Sequence, residues 1–275
     1  METPEQKFEA LVSALQYTIG ERDRMIALWA LVTRLLEQGN KANDIAKIMQ
    51  ILQDSPSERH QDVFAFLLTG CKHQGFFVEF GACDGRTASN TYMLEQHFGW
   101  TGILAEPAVV WLDSLRENRT AHIDPRCVSA RSGDSLRFNE AKSPLVSSLY
   151  ADHPYLGEVE KAYTVETVTL MDLLADHDAP DYIDFLSVDC EGHEYEVLRN
   201  FDFDRYRFGF ICVEQHDSLA QDNVVLPILT TAGYEQIYPR HPDKTKPPHM
   251  QISGIDAFFV PKGTWNHLTE IPKNA

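Results

Sequence analysis

Three stretches of the chain put acids and glycines where an apolar run gives way to polar residues. The first is Val78-Glu79-Phe80-Gly81-Ala82-Cys83-Asp84-Gly85. Its two glycines lack a Cβ, so the backbone there can turn tightly and approach a ligand. The spacing is GxxxG, and the dinucleotide fingerprint GxGxxG is not matched. The second stretch is Ala105-Glu106-Pro107. An acid closing a second apolar run is placed to accept hydrogen bonds from both hydroxyls of a ribose. The competing reading is a surface acid ahead of a helix, where the helix dipole favours it. The third is Leu186-Ser187-Val188-Asp189-Cys190-Glu191-Gly192-His193-Glu194, echoed downstream by Val213-Glu214-Gln215-His216-Asp217. Acids and histidines emerging from buried runs suit general-base work or a hard divalent cation held by oxygens. Helix capping by Asp189 or Glu191 is the structural alternative.

The elements that must position these groups follow from the pattern of apolar runs. Phe76–Phe80 predicts a strand closing on the glycine turn, then a helix over about 87–97. Gly102–Ala105 predicts a second strand, ended by Pro107, and a helix through Trp111 and Leu115. Arg126–Ala130, Ile183–Val188 and Phe208–Val213 read as the third, fourth and fifth strands. A helix over 218–232 precedes Tyr234–Tyr238 and Ile255–Val260. Strands alternating with helices imply a mostly parallel, doubly wound α/β sheet, which binds ligands beyond the C-terminal ends of its strands. No helical pattern separates the last two strands, so they are expected to form an antiparallel hairpin. Residues 139–163 and 239–250 read as irregular loops, a common place for lids.

Residues 1–70 have a different texture from residues 71–275. Phe8, Leu11, Val12 and Leu15, and again Ile45, Ile48, Met49 and Leu52, share one helical face. Helices are also expected over Glu21–Gln38 and Asp62–Leu68. This helical region predicts homo-oligomerisation or a cap over the substrate. With 275 residues, 24 Lys+Arg against 41 Asp+Glu and a net charge of −17, a broad nucleic-acid footprint is excluded. A hydrophobic share of 43% excludes wholesale disorder. Five cysteines, odd in number and without CxxC, argue against a disulfide framework or a thiolate zinc site. The start METPEQKFEA lacks the basic and apolar regions of a signal peptide, and the apolar run Met25–Val32 is too short to span a membrane. A cytoplasmic protein is expected.

Taken together, VEFGACDG, ILAEP and YIDFLSVDCEGHEYEVL resemble the FkbM family of S-adenosylmethionine-dependent methyltransferases over about residues 75–262. The most specific part is Asp189-x-Glu191-Gly192-x-Glu194, running on to Leu198. The resemblance implies a seven-stranded, Rossmann-like methyltransferase sheet with an antiparallel seventh strand. It implies S-adenosyl-L-methionine as cofactor, with its methionyl end against Glu79, Gly81 and Cys83, and Ala82 and Gly85 as further cofactor-binding residues. Glu106 would hold the ribose, residues around Ser129, Ala130 and Arg131 or else Asp134 would meet the adenine, and Pro107 and Asp189 would be further cofactor-binding residues. Glu79 stands where the family commonly has Asp, a longer acid of the same charge.

Methyl transfer to a hydroxyl needs a group to take the hydroxyl proton, or a metal that acidifies it. His193 and His216 are the candidates titrating near neutrality, with Asp189 and Glu191 as further catalytic candidates. The alternative is Mg²⁺ held by Asp189 and Glu214. The family favours a hydroxyl on a sugar, glycan or polyketide-type metabolite as acceptor. No Asn/Asp-Pro-Pro-Tyr tip, which would suit amino groups, follows the fourth strand. An acidic surface disfavours an anionic acceptor unless loop cations such as Arg240, Lys244 and Lys246 meet it. Two rival readings remain: a catalytically degenerate scaffold, and a nicotinamide oxidoreductase, against which the missing GxGxxG counts.

Overall fold

The computed structural model describes residues 55–153, 156–214, 222–238 and 256–265. The expected helices before residue 55, the tip residues Gln215, His216 and Asp217, and the loop 239–250 lie outside the described residues.

The chain opens with helix α1 (Gln61–Leu68) and strand β1 (Phe76–Phe80), followed by α2 (Tyr92–Phe98) and β2 (Thr101–Ala105). Next come α3 (Leu112–Asn118), β3 (His122–Asp124) and β4 (Cys127–Val128). Strands β5 (Ser135–Ala141) and β6 (Val159–Val168) flank a short 3-10 turn at Pro144–Val146. The remainder is α4 (Leu170–Asp176), β7 (Tyr182–Val188), α5 (Glu194–Leu198), β8 (Arg207–Val213), α6 (Asp222–Thr231), β9 (Tyr234–Tyr238) and β10 (Ala257–Pro261).

Seven strands form the central sheet in the order β3-β2-β1-β7-β8-β10-β9. Pairing is parallel from β3 through β8, and β10 runs antiparallel to both β8 and β9. The strand order reverses between β1 and β7, so the crevice beyond their C-terminal ends is the switch point where such sheets bind ligands. Registers Phe80↔Ala105, Glu79↔Ser187 and Val188↔Val213 bring the tips after β1, β2, β7 and β8 to one level.

Both faces of the sheet are covered, which is why its strands are apolar on both sides. In β8, Phe210 and Cys212 pack with α1 and α2 residues such as Phe64, Phe66 and Leu94. Ile211 and Val213 pack on the other face with Leu173, Leu198 and Leu229 from α4, α5 and α6. Helix α1, read as part of the N-terminal helical region, is therefore built into this core through Phe64 and Phe66, both 0% exposed. No helix among the described residues is long and apolar enough to cross a membrane.

Three expectations change. The third central strand is His122–Asp124 rather than Arg126–Ala130. Pro125 follows it, and a residue without an N–H ends a ladder. Cys127–Val128 then turns away to pair with Thr167–Val168 in a separate three-stranded sheet, β4-β6-β5. The two ends of the segment expected as a loop over 139–163, residues 139–141 and 159–163, belong to the strands of the β5–β6 hairpin, paired from Ser135↔Glu166 to Ala141↔Val159, while the stretch between them holds no strand among the described residues. The β6 start is exposed and carries Glu160 and Lys161, so the apolar alternation that marks a strand is missing there. The helix expected from about residue 87 begins at Tyr92, because residues 89–91 are drawn into a different bonding scheme described below.

Candidate active site

A cavity of about 450 Å³ opens at the switch point. The tips after β1, β2, β7 and β8 line it through Gly81, Cys83, Glu106, Asp189, Glu191 and Glu214. The volume lies within the range of small-molecule and cofactor sites.

The floor is set by a charged network behind the glycine turn. Glu79, 2% exposed, accepts hydrogen bonds from Asn90 N at 2.6 Å, Ser89 Oγ at 3.0 Å and Thr91 Oγ1. Arg119 Nη1 lies 3.6 Å from the same carboxylate, and Arg119 Nε donates to Glu95 at 2.7 Å. The guanidinium also donates to Gly85 O at 3.0 Å and Thr91 Oγ1 at 2.8 Å. Glu79 thus anchors the 89–91 loop, and it also borders the cavity. Asn90 in turn donates to Ser187 Oγ at 2.9 Å and lines the cavity.

Two glycines are required for different reasons. Gly81 has φ +70°, and a Cβ there would sit 2.4 Å from Asp189 O, so a side chain would push the β1 and β7 tips apart. Gly85 has φ +77°, and its Cβ would meet Arg119 Cγ and Leu115 Cδ1 at 2.6 Å. Gly85 serves packing on α3 rather than the cavity lining. Ala82 is likewise in the core, 1% exposed.

Glu106 is 4% exposed and lines the cavity. It accepts from Cys83 N at 2.8 Å and from Ala108 N at 2.7 Å, one bond per oxygen. Each carboxylate oxygen can take a second donor, so two vicinal hydroxyls fit it. Burial pushes its carboxyl up to about 7 against those two stabilising bonds.

The β7 tip explains its own motif. Glu194, 0% exposed, folds back so that Oε1 accepts from Cys190 N at 2.9 Å and Gly192 N at 3.2 Å. It clamps the tight turn, in which Glu191 has φ 49° and Gly192 φ 100°. Asp189, Glu191 and Glu214 each offer a carboxylate oxygen, all within 4.8 Å of one another. Removal from water, then the facing Glu214 charge, pushes Asp189 well above the usual carboxylate range. Glu214 is pushed up too, chiefly by desolvation, and the two carboxyls are hydrogen-bonded to each other. Like charges this close cannot both ionise, so the pair holds a proton.

His193 is 7% exposed and lines the cavity. Its Nε2 lies 2.9 Å from Ser129 Oγ and its Nδ1 3.1 Å from Tyr150 OH. Burial lowers its basicity. Both ring nitrogens are thereby engaged in joining the β7 tip to β4 and to the hairpin. Ser129 is spent on this bond, and neither it nor Ala130 is among the residues lining the cavity. The wall beyond β3 is instead Arg126, Cys127 and Val128. Arg131 and Asp134 pair with each other at 3.6 Å on the exposed surface.

Sequence reasoning missed three parts of the lining. Phe138 comes from β5, and Pro144, Val146 and Leu149 come from the segment expected as a loop. Gln61, from α1, lines the cavity and donates to Asp256. Arg126 stands just past the true end of the third strand, and Pro125 was the signal that could have located it.

Residues 79–236, more than half of the chain, match the family model of the methyltransferase FkbM domain. Among solved structures, a crystal structure of a mutant of MtNAS is similar at 11% identity and a TM-score of 0.36, over 94% of this chain and 78% of that one. A crystal structure of MtNAS in complex with MTA and tNA is similar at 8% identity and a TM-score of 0.32, over 92% and 75%. A comparison with curated protein sequences finds no match.

Two outcomes are expected from this geometry. Arg119→Met leaves Glu79 and Glu95 buried without their cation, and should destabilise the fold by about 3–5 kcal/mol in urea denaturation. The buried carboxyls fix a pH dependence. Folded Asp62 and Glu106 keep their protons up to about 7, against ordinary values of 3.8 and 4.5. The folded state therefore binds more protons than the unfolded one between those limits, and stability falls as pH rises through the window. A melting temperature lower at pH 8 than at pH 5.5, measured without ligand, checks it.

Proposed function

Because the chain belongs to the FkbM methyltransferase family, we propose that it is an S-adenosylmethionine-dependent O-methyltransferase acting on a hydroxyl of a sugar, glycan or polyketide-type metabolite. The observation that carries the reading is one cavity holding both Glu106 and the Asp189–Glu214 carboxyl pair. When bound, S-adenosylmethionine supplies a sulfonium-activated methyl group.

Glu106 accepts the two ribose hydroxyls on the lone pairs left by Cys83 N and Ala108 N. A charged acceptor makes such bonds stronger than neutral ones, so the ionised form of Glu106 is the binding form. The Gly81 turn lets the β1 tip lie against Asp189, which sets the distance between the ribose seat and the carboxyl pair. Asp189 and Glu214 hold a proton between them and have room for the acceptor's, so the hydroxyl proton passes to this pair. His193, bonded through both nitrogens, holds the hairpin in place. The hairpin's Phe138, Val146 and Leu149 oppose water entry with an apolar wall. That wall and the acids of the β7 and β8 tips suit an uncharged acceptor.

A second reading uses the same atoms. Asp189, Glu191 and Glu214 are hard oxygen donors close enough to hold Mg²⁺, which would acidify the hydroxyl. Turnover abolished by EDTA and restored by Mg²⁺ would favour it.

The main test separates binding from chemistry. Asp189→Asn should remove methyl transfer to a panel of sugar and phenol hydroxyls while S-adenosylhomocysteine still binds. Glu106→Ala should weaken that binding by about 1.5–3 kcal/mol, the worth of hydrogen bonds to a charged group. An active Asp189→Asn, or unchanged affinity in Glu106→Ala, would refute the corresponding role.

A further inference from the structure

Arg126 is a candidate ligand contact that neither the motifs nor the family match assigns. It stands just beyond β3. There Ala105 pairs with Asp124, and Glu106 N donates to Asp124 O at 3.0 Å. Arg126, two residues past Asp124, is therefore next to the tip that carries Glu106, and it lines the cavity. The same lining includes Pro107, Cys127, Val128 and Phe138 beside Glu106.

The guanidinium is fixed in place. Nε donates to Asp124 Oδ1 at 2.9 Å, and Nη2 donates to Asp124 Oδ2 at 2.6 Å and to Asp176 Oδ2 at 2.9 Å. Asp124 also accepts from His177 Nε2 at 3.0 Å, and these partners hold its carboxyl below the usual range. Three of the five N–H groups are spent in this way. Nη1 has no hydrogen-bond partner among the described residues.

The position of the base follows from the chemistry of the cofactor. A ribose held at Glu106 directs its sulfur-bearing carbon one way and its base the other. The sulfur must reach the β7 and β8 tips, where Asp189 and Glu214 stand. The base must then lie on the β3 side, in the slot beside Arg126. A guanidinium only donates, so it can meet the ring nitrogens of adenine but not its amino group.

We propose that Arg126 donates a hydrogen bond from Nη1 to a ring nitrogen of the cofactor's adenine and orients the base in this slot. The assignment rests on the cofactor reading above. It makes Arg126 a binding residue for the purine, pre-positioned by Asp124 and Asp176 so that little is lost in ordering it.

The test is a set of calorimetric titrations with S-adenosylhomocysteine and its 1-deaza, 3-deaza and 7-deaza analogues, each with one ring nitrogen replaced by C–H. One analogue should bind the wild-type protein about tenfold more weakly than the parent, the scale of a hydrogen bond to a charged group. In Arg126→Lys, which keeps a cation beside Asp124, and in Arg126→Met, parent and analogue should bind alike. A purely structural role would weaken all four ligands together and leave their ratios unchanged. Three analogues within twofold of the parent on wild-type protein, or a penalty that persists in both variants, would overturn the assignment. Failure of the parent to bind folded wild-type protein would overturn the cofactor reading itself.

Discussion

Everything at the cavity depends on one guanidinium with no exposed surface. Arg119 bridges Glu79 and Glu95 and reaches Gly85 O and Thr91 Oγ1. Two buried carboxylates and one buried cation are costly apart and tolerable only together. Their joint satisfaction ties the end of β1 to α2 and to the residue that closes α3. The loop between β1 and α2 thus has one shape, and that shape presents Gly81 and Cys83 to the cavity. The cation also lies over the Phe77 ring at 5.3 Å, so the network is seated on the apolar core as well.

The cavity gathers acids whose burial favours their protonated forms. Glu106 and the Asp189–Glu214 pair are withdrawn from water with no cation among the contacts that set their ionisation, so protons are held where salt bridges would otherwise stand. Elsewhere the fold pairs its acids. Asp184 has Lys72 at 2.7 Å, and Asp124 has Arg126 at 2.6 Å. Titratable groups pushed out of their usual range by environment, gathered in a cleft, are the physical mark of a functional site.

Much of this was legible in the sequence where local chemistry decides the outcome. Phe76–Phe80 is the first strand residue for residue, and the hairpin of Tyr234–Tyr238 with β10 follows from the missing helix. Gly81, Cys83, Glu106, Pro107, Asp189, Glu191 and Glu214 all line one cavity, as their strand-end positions imply. What the sequence could not show depends on distant partners. Glu79, although it lines the cavity, and Gly85 are drawn into the Arg119 network, and Ser129 into the His193 bond, each by a residue far along the chain. The β5–β6 hairpin escaped notice because half of its surface faces water and carries charge. Pro125 ends the third strand early, which puts Arg126, Cys127 and Val128 rather than Ser129 in the cavity wall.

In the proposed function, Glu106, whose carboxyl burial raises to about 7, holds a proton in the empty cavity below that pH and loses it on binding a ribose. Calorimetric titration with S-adenosylhomocysteine at pH 6.5, repeated in buffers of different ionisation enthalpy, measures this directly. Saturable one-to-one binding with net proton release is expected, and loss of that release in Glu106→Gln. Absence of binding to folded protein, or binding whose heat is independent of the buffer, would contradict it.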